Sequence, residues 1–124
     1  MSQNKKIFLL VDDDGDDRSL FYEALQSIDP KFICFMAEDG RQALNLLAEN
    51  TGNLPNVIFL DINMPVISGW QCLKSLKTEP LYKNIPVIMY STSSHQRDME
   101  IAIELGALCF CVKPENFKKI YSNT

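Results

Sequence analysis

Five aspartates stand close together near the start of the chain: Asp12, Asp13, Asp14, Asp16 and Asp17. They follow the apolar run Ile7-Phe8-Leu9-Leu10-Val11. Three later apolar runs also end on a residue able to do chemistry. Val57-Ile58-Phe59-Leu60 ends at Asp61, Val87-Ile88-Met89-Tyr90 at Ser91, and Phe110-Cys111-Val112 at Lys113-Pro114. Carboxylates, a hydroxyl and an ammonium gathered in one place suit magnesium-dependent acceptance of a phosphoryl group. Magnesium takes oxygen ligands, keeps several waters and needs only one or two protein carboxylates. Asp12, Asp13 and Asp61 sharing a cleft would repel one another, and at least one pKa should rise. A divalent ion removes that repulsion and leaves Asp61 ionised as a nucleophile. Lys113 supplies a point positive charge for incoming phosphoryl oxygens, and Ser91 a hydrogen-bond donor. Phosphoryl transfer asks mainly for positioning and charge neutralisation, so these few groups suffice.

Such a site requires the four runs to be parallel strands whose carboxyl ends share one sheet edge. The pattern along the chain meets this requirement. Strand-like runs at Ile7–Val11, Phe32–Met36, Val57–Leu60, Val87–Tyr90 and Cys109–Val112 alternate with helix-like stretches. The helices are expected over Asp16–Ile28, Arg41–Glu49, Gly69–Leu76, Gln96–Leu105 and Glu115–Tyr121. Leu20, Phe21, Ala24, Leu25 and Ile28 recur at helical spacing in the first, which Asp29-Pro30 stops. Trp70, Leu73 and Leu76 point inward from the third. Met99, Ile101, Ile103 and Leu105 alternate as a strand would. A helix is nevertheless expected there, because parallel neighbouring strands need a long crossover and no other segment is available. Five βα units of this length imply a doubly wound α/β sheet with helices on both faces. Ligands in such sheets bind beyond the carboxyl ends of the strands, where strand order reverses.

The 124 residues suit a single domain, 1–124, and composition is ordinary for a soluble protein, with 46% hydrophobic and 23% charged residues. The net charge of −4 argues against a direct nucleic-acid partner. No apolar stretch reaches membrane-spanning length, and Met1–Lys6 does not read as a signal peptide, so no membrane role is expected. Cys34, Cys72, Cys109 and Cys111 lack metal-ligand or disulfide-framework spacing. They read as small buried hydrophobes in a reducing cytoplasm, Cys109 and Cys111 sharing one strand face. His95 lies among serines and reads as solvated. Asp14, Asp16 and Asp17 read as first-turn acids that cap a helix and complement its dipole, doing no chemistry.

Taken together, Val11-Asp12-Asp13, Phe59-Leu60-Asp61-Ile62-Asn63-Met64-Pro65, Pro86-Val87-Ile88-Met89 followed by Ser91, and Val112-Lys113-Pro114 resemble the receiver domains of two-component response regulators. The resemblance runs from Lys6 to about Phe117. It implies a flavodoxin-like (CheY-like) five-stranded parallel sheet in the order 2-1-3-4-5. It implies that Asp61 accepts a phosphoryl group from a phosphohistidine of a sensor histidine kinase or phosphotransfer protein. Asp12, Asp13, Asp61 and the main-chain carbonyl of Asn63 would then hold Mg2+. Ser91 would be the switch hydroxyl, Phe110 the switch aromatic, Lys113 the phosphate-binding lysine, and the bond to Pro114 cis. Asn63, Thr92 and Ser93 occupy positions that tune phosphoryl lifetime. Thr92 departs from the usual alanine or glycine. Ten residues follow Pro114, so the expectation is either a short last helix or a chain cut within it. The expected state is a cytoplasmic monomer or weak homodimer acting on a separate downstream protein target.

Two other functions use similar parts. A phosphatase of the haloacid dehalogenase type also has a strand-end aspartate, magnesium and a lysine. Its nucleophile, however, precedes its acidic pair, and a second aspartate follows two residues later, where this chain has Asn63. A receiver-like scaffold that acts without phosphorylation is disfavoured by the intact Asp13, Asp61 and Lys113 set. The chain is therefore expected to be no turnover enzyme.

Overall fold

The computed structural model describes residues 6–92 and 95–113. Among these residues five strands alternate with four helices: β1 (Ile7–Val11), α1 (Gly15–Ile28), β2 (Ile33–Ala37), α2 (Gly40–Glu49), β3 (Val57–Asp61), α3 (Gly69–Thr78), β4 (Val87–Ser91), α4 (Gln96–Glu104) and β5 (Cys109–Val112). The strands form one sheet in the order β2-β1-β3-β4-β5, and every pairing is parallel. Order reverses beside β1, between β2 and β3, as the doubly wound expectation requires.

Local chemistry explains most element ends. Asp14 caps α1, its carboxylate accepting from the N–H groups of Asp16 and Asp17. Asp39 caps α2 through the N–H of Gln42. Ser68 and Gln71 form a reciprocal capping box on α3. Gly106 ends α4 with φ +102. Its N–H donates to Ile103 O, and the next N–H, of Ala107, to Ala102 O, a closure that favours glycine.

The two sheet faces differ. Leu9, Val11, Ile58, Leu60, Val87 and Met89 pack with Ala43, Leu47, Cys72, Leu73 and Leu76 of α2 and α3 into the aliphatic core. The face under α1 is aromatic. Phe21 meets Phe59 at 4.8 Å between ring centroids, and Phe59 lies 6.4 Å from Tyr90. Trp70 packs against the aliphatic core.

Met99–Glu104 is helical, as expected despite its alternation, because the crossover between parallel strands outweighs local periodicity. Some expectations of burial change. Ala102 is the buried residue of α4 and Ile103 remains exposed. Ile28 is also exposed, at the last position of α1. Of the cysteines only Cys72 is buried. Cys34 and Cys109 are half-buried and Cys111 is exposed, since an end strand of the sheet lacks cover that a central strand has. The expected helix 115–121, Pro114 and Ser93 lie outside the described residues. None of the described helices is long and apolar enough to cross a membrane.

Candidate functional site

Strand parity aims the site. Phe8 and Leu10 precede Asp12 on the α1 face, while Leu9 and Val11 enter the aliphatic core. Parallel register then sets Asp61 beside Tyr90, and Ser91 beside Val112, so Lys113 emerges next to both carboxylates. Asp61 and Ser91 close their own strands and are not the first loop residues.

Asp12 is fully buried and its bonding is dense. Its N–H donates to Ala37 O at 3.0 Å, and Arg18 Nη1 donates to its carbonyl at 2.7 Å. Oδ1 accepts the Asp14 N–H at 3.0 Å. Oδ2 accepts from the Tyr90 hydroxyl at 2.5 Å and from Lys113 Nζ at 2.9 Å. Lys113 is itself buried and gives its ammonium to three carboxylates: Asp12, Asp17 at 3.1 Å and Asp61 at 3.4 Å. The same nitrogen lies 4.5 Å from the centre of the Tyr90 ring, within reach of a cation–π attraction.

These contacts set the electrostatics. Burial pushes the Asp61 carboxyl up from 3.8 to about 6; Asp12 adds to the rise and Lys113 opposes it. Burial pulls Lys113 down, but Asp12, Asp61 and Asp17 outweigh it and hold the ammonium above the usual lysine range. Burial, then the bond to Asp12, holds the Tyr90 phenol far above its ordinary value, so it is a neutral donor.

Asp12, Asp13 and Asp61 offer carboxylate oxygens within 4.8 Å of one another, Asp13 on the exposed side. An all-oxygen set with one solvent-facing side suits a hard divalent ion that keeps waters. Asn63 is exposed in the loop after β3, and Thr92 is exposed just beyond buried Ser91. The Ser91 carbonyl accepts the Lys113 N–H at 2.7 Å. Phe110 packs, half-buried, against the aliphatic core.

The β3–α3 loop is drawn tight against the site. Gly69 N–H donates to Ile62 O at 2.8 Å. A Cβ at Gly69 would fall 2.2 Å from the Asp61 carbonyl oxygen, so only glycine fits. Val66 in this loop has φ 66, an uncommon conformation for a β-branched residue.

A family model described as "Response regulator receiver domain" matches residues 8–124. The chain belongs to that family. Receiver domains serve two-component systems, are phosphorylated on aspartate by histidine kinases, and bind a divalent metal at their acidic pocket. Response regulator Rcp1 of Synechocystis is 31% identical over 97% of this chain and 84% of its own length. A structure of the Mn(2+)-bound form of Rcp1 superposes with a TM-score of 0.83 at 31% identity, covering 95% of this chain and 88% of that one. The phosphorylated cyanobacterial phytochrome response regulator RcpA gives 0.85 at 29% identity, covering 96% and 88%. The transcriptional regulatory protein CpxR of Escherichia coli is 35% identical over 90% of this chain, which spans 44% of CpxR.

Two residues of the receiver site escaped the sequence reading. Local pattern gives Asp17 only a capping and dipole role, yet it reaches Lys113. It gives Tyr90 only a place in the fourth apolar run, yet its hydroxyl donates to Asp12. Parity held the signal for Tyr90, which shares the face of Asp61. For Asp17 the signal was that α1 covers that same face.

Proposed function

We propose that this receiver domain accepts a phosphoryl group on Asp61 from a histidine kinase phosphohistidine, in a Mg2+-dependent manner, and switches a partner-binding surface. The observation that carries this reading is one buried ammonium, Lys113, shared by Asp12 and Asp61 beside the Asp13 carboxylate. An Asp61 carboxylate oxygen forms the new P–O bond as the P–N bond to the donor imidazole breaks. The electron pair leaves with the imidazole, which takes a proton. Asp12, Asp13, Asp61 and the Asn63 carbonyl would hold Mg2+, whose chemistry is to neutralise phosphoryl oxygens.

Lys113 then pairs with one phosphoryl oxygen and Ser91 donates to another. The added charge is about −1.5 to −2. Movement of Ser91 toward it frees space for Phe110, a shift between two packings of one fold. Asn63 and Thr92, together with Ser93 outside the described residues, tune the lifetime of the phosphoryl group. Residues 1–124 act as a single domain and not as a turnover enzyme, as a monomer or weak homodimer in the cytoplasm.

Incubation with acetyl phosphate and Mg2+ tests the proposal by intact mass. A gain of one phosphoryl group, absent in Asp61→Ala and without Mg2+, is the expected result. Sustained hydrolysis of a generic phosphomonoester would favour the haloacid dehalogenase reading. No modification at all would favour a scaffold.

A further inference from the structure

Lys113 has more anions than the chemistry requires. Asp12 and Asp61 belong to the acidic pocket, but Asp17 stands outside the group of carboxylates that could share a cation. Its side chain is 15% exposed and it rides on the first turn of α1, 3.1 Å from the ammonium. A local duty would have been enough for it there, since its own N–H is already capped by Asp14. Resting on this phosphoacceptor reading, we propose that Asp17 is a positioning residue that holds Lys113 back from the phosphoryl position.

The geometry supplies the reason. An ammonium has three N–H donors, and Lys113 has three carboxylates for them. A phosphoryl group arriving on Asp61 needs one of those donors. A cation in the acidic pocket draws on Asp12, Asp13 and Asp61, which weakens the hold of Asp12 and Asp61 on Lys113. Asp17 lies outside that group of carboxylates and keeps its hold on Lys113, so its pull opposes the approach of Lys113 to the new oxygens. The Tyr90 ring beneath the nitrogen and the Tyr90 hydroxyl on Asp12 keep the resting arrangement in place. Asp17 thereby sets how readily the acceptor charges, without touching the reacting atoms.

The test is beryllofluoride binding in the presence of Mg2+, followed by titration calorimetry on the full chain. Asp17→Asn should bind about three- to tenfold more tightly than wild type, the scale of one partly exposed ion pair. Asp16→Asn removes the same charge one residue earlier and should leave binding unchanged. The Lys113 ammonium protons, observed by NMR without ligand, should exchange with water faster in Asp17→Asn. Equal or weaker binding by Asp17→Asn overturns the inference, and so does an equal gain in Asp16→Asn, which would indicate a general field. Unchanged ammonium exchange also overturns it. Wild-type protein that does not bind beryllofluoride defeats the phosphoacceptor reading itself, and the inference falls with it.

Discussion

The two faces of the sheet are built on different terms. Under α2 and α3 the contacts are mainly aliphatic, and of the residues packed there only Phe110 is given a part in the proposed switch. Under α1 the aromatic row Phe21, Phe59 and Tyr90 runs into Asp12, Lys113, Asp17 and Asp61. Packing and chemistry share residues on that side. The difference teaches that stability and function should separate cleanly on one face and remain coupled on the other.

The largest effect should come from the aliphatic face. Leu60→Ala removes a fully buried side chain and should cost about 2–5 kcal/mol in urea denaturation. The folded fraction should keep its affinity for beryllofluoride; a large loss of affinity would erase the contrast between the faces.

Next comes Asp61→Asn, which should stabilise the metal-free protein. The native carboxyl titrates near 6 against 3.8 in a free chain. Between those values the native state holds more protons, so stability falls as pH rises from about 4 to about 6 and stays lowered above. The gain at pH 7 should be about 1–3 kcal/mol, with Lys113's lost partner offsetting part of it, and should shrink toward pH 4. Denaturation curves at both pH values check it, and a variant less stable at pH 7 would refute it.

Tyr90→Phe should cost about 1–2 kcal/mol, because a buried bond to a charged acceptor is lost while ring packing survives. Thermal melts of the metal-free protein measure this. A neutral outcome would mean that Asp12 is held adequately by Lys113 and Asp14 alone. The smallest effect is expected outside both faces. Val66→Gly relieves a positive φ and should gain up to about 1 kcal/mol, less the entropy glycine loses on folding. A loss of stability there would show that the exposed valine side chain contributes packing.

Much of this was legible in the residues, and the exceptions are specific. Four apolar runs ending at Asp12, Asp61, Ser91 and Lys113 could be read directly, because a buried parallel strand leaves an apolar run in the chain. Gly106 marked the end of α4 because a left-handed helix closure favours glycine. Asp17 was hidden because a first-turn acid already has a sufficient local explanation. Its partner lies 96 positions later. Tyr90 was hidden because an aromatic residue fits a strand without further cause. The exposure of Cys111 depends on β5 lying at the end of the strand order, which no local pattern encodes. The strand-like alternation in α4 did not mislead, because the need for a crossover between parallel strands already called for a helix there.

The bare backbone of Gly69 lodged against the Asp61 carbonyl has a mechanical consequence. With no slack between β3 and the start of α3, β3 would have nowhere to recoil under the proposed phosphorylation of Asp61. The accommodation must be made across the pocket, by the chain ends of β4 and β5. A load applied at Asp61 is thereby sent one way through the sheet.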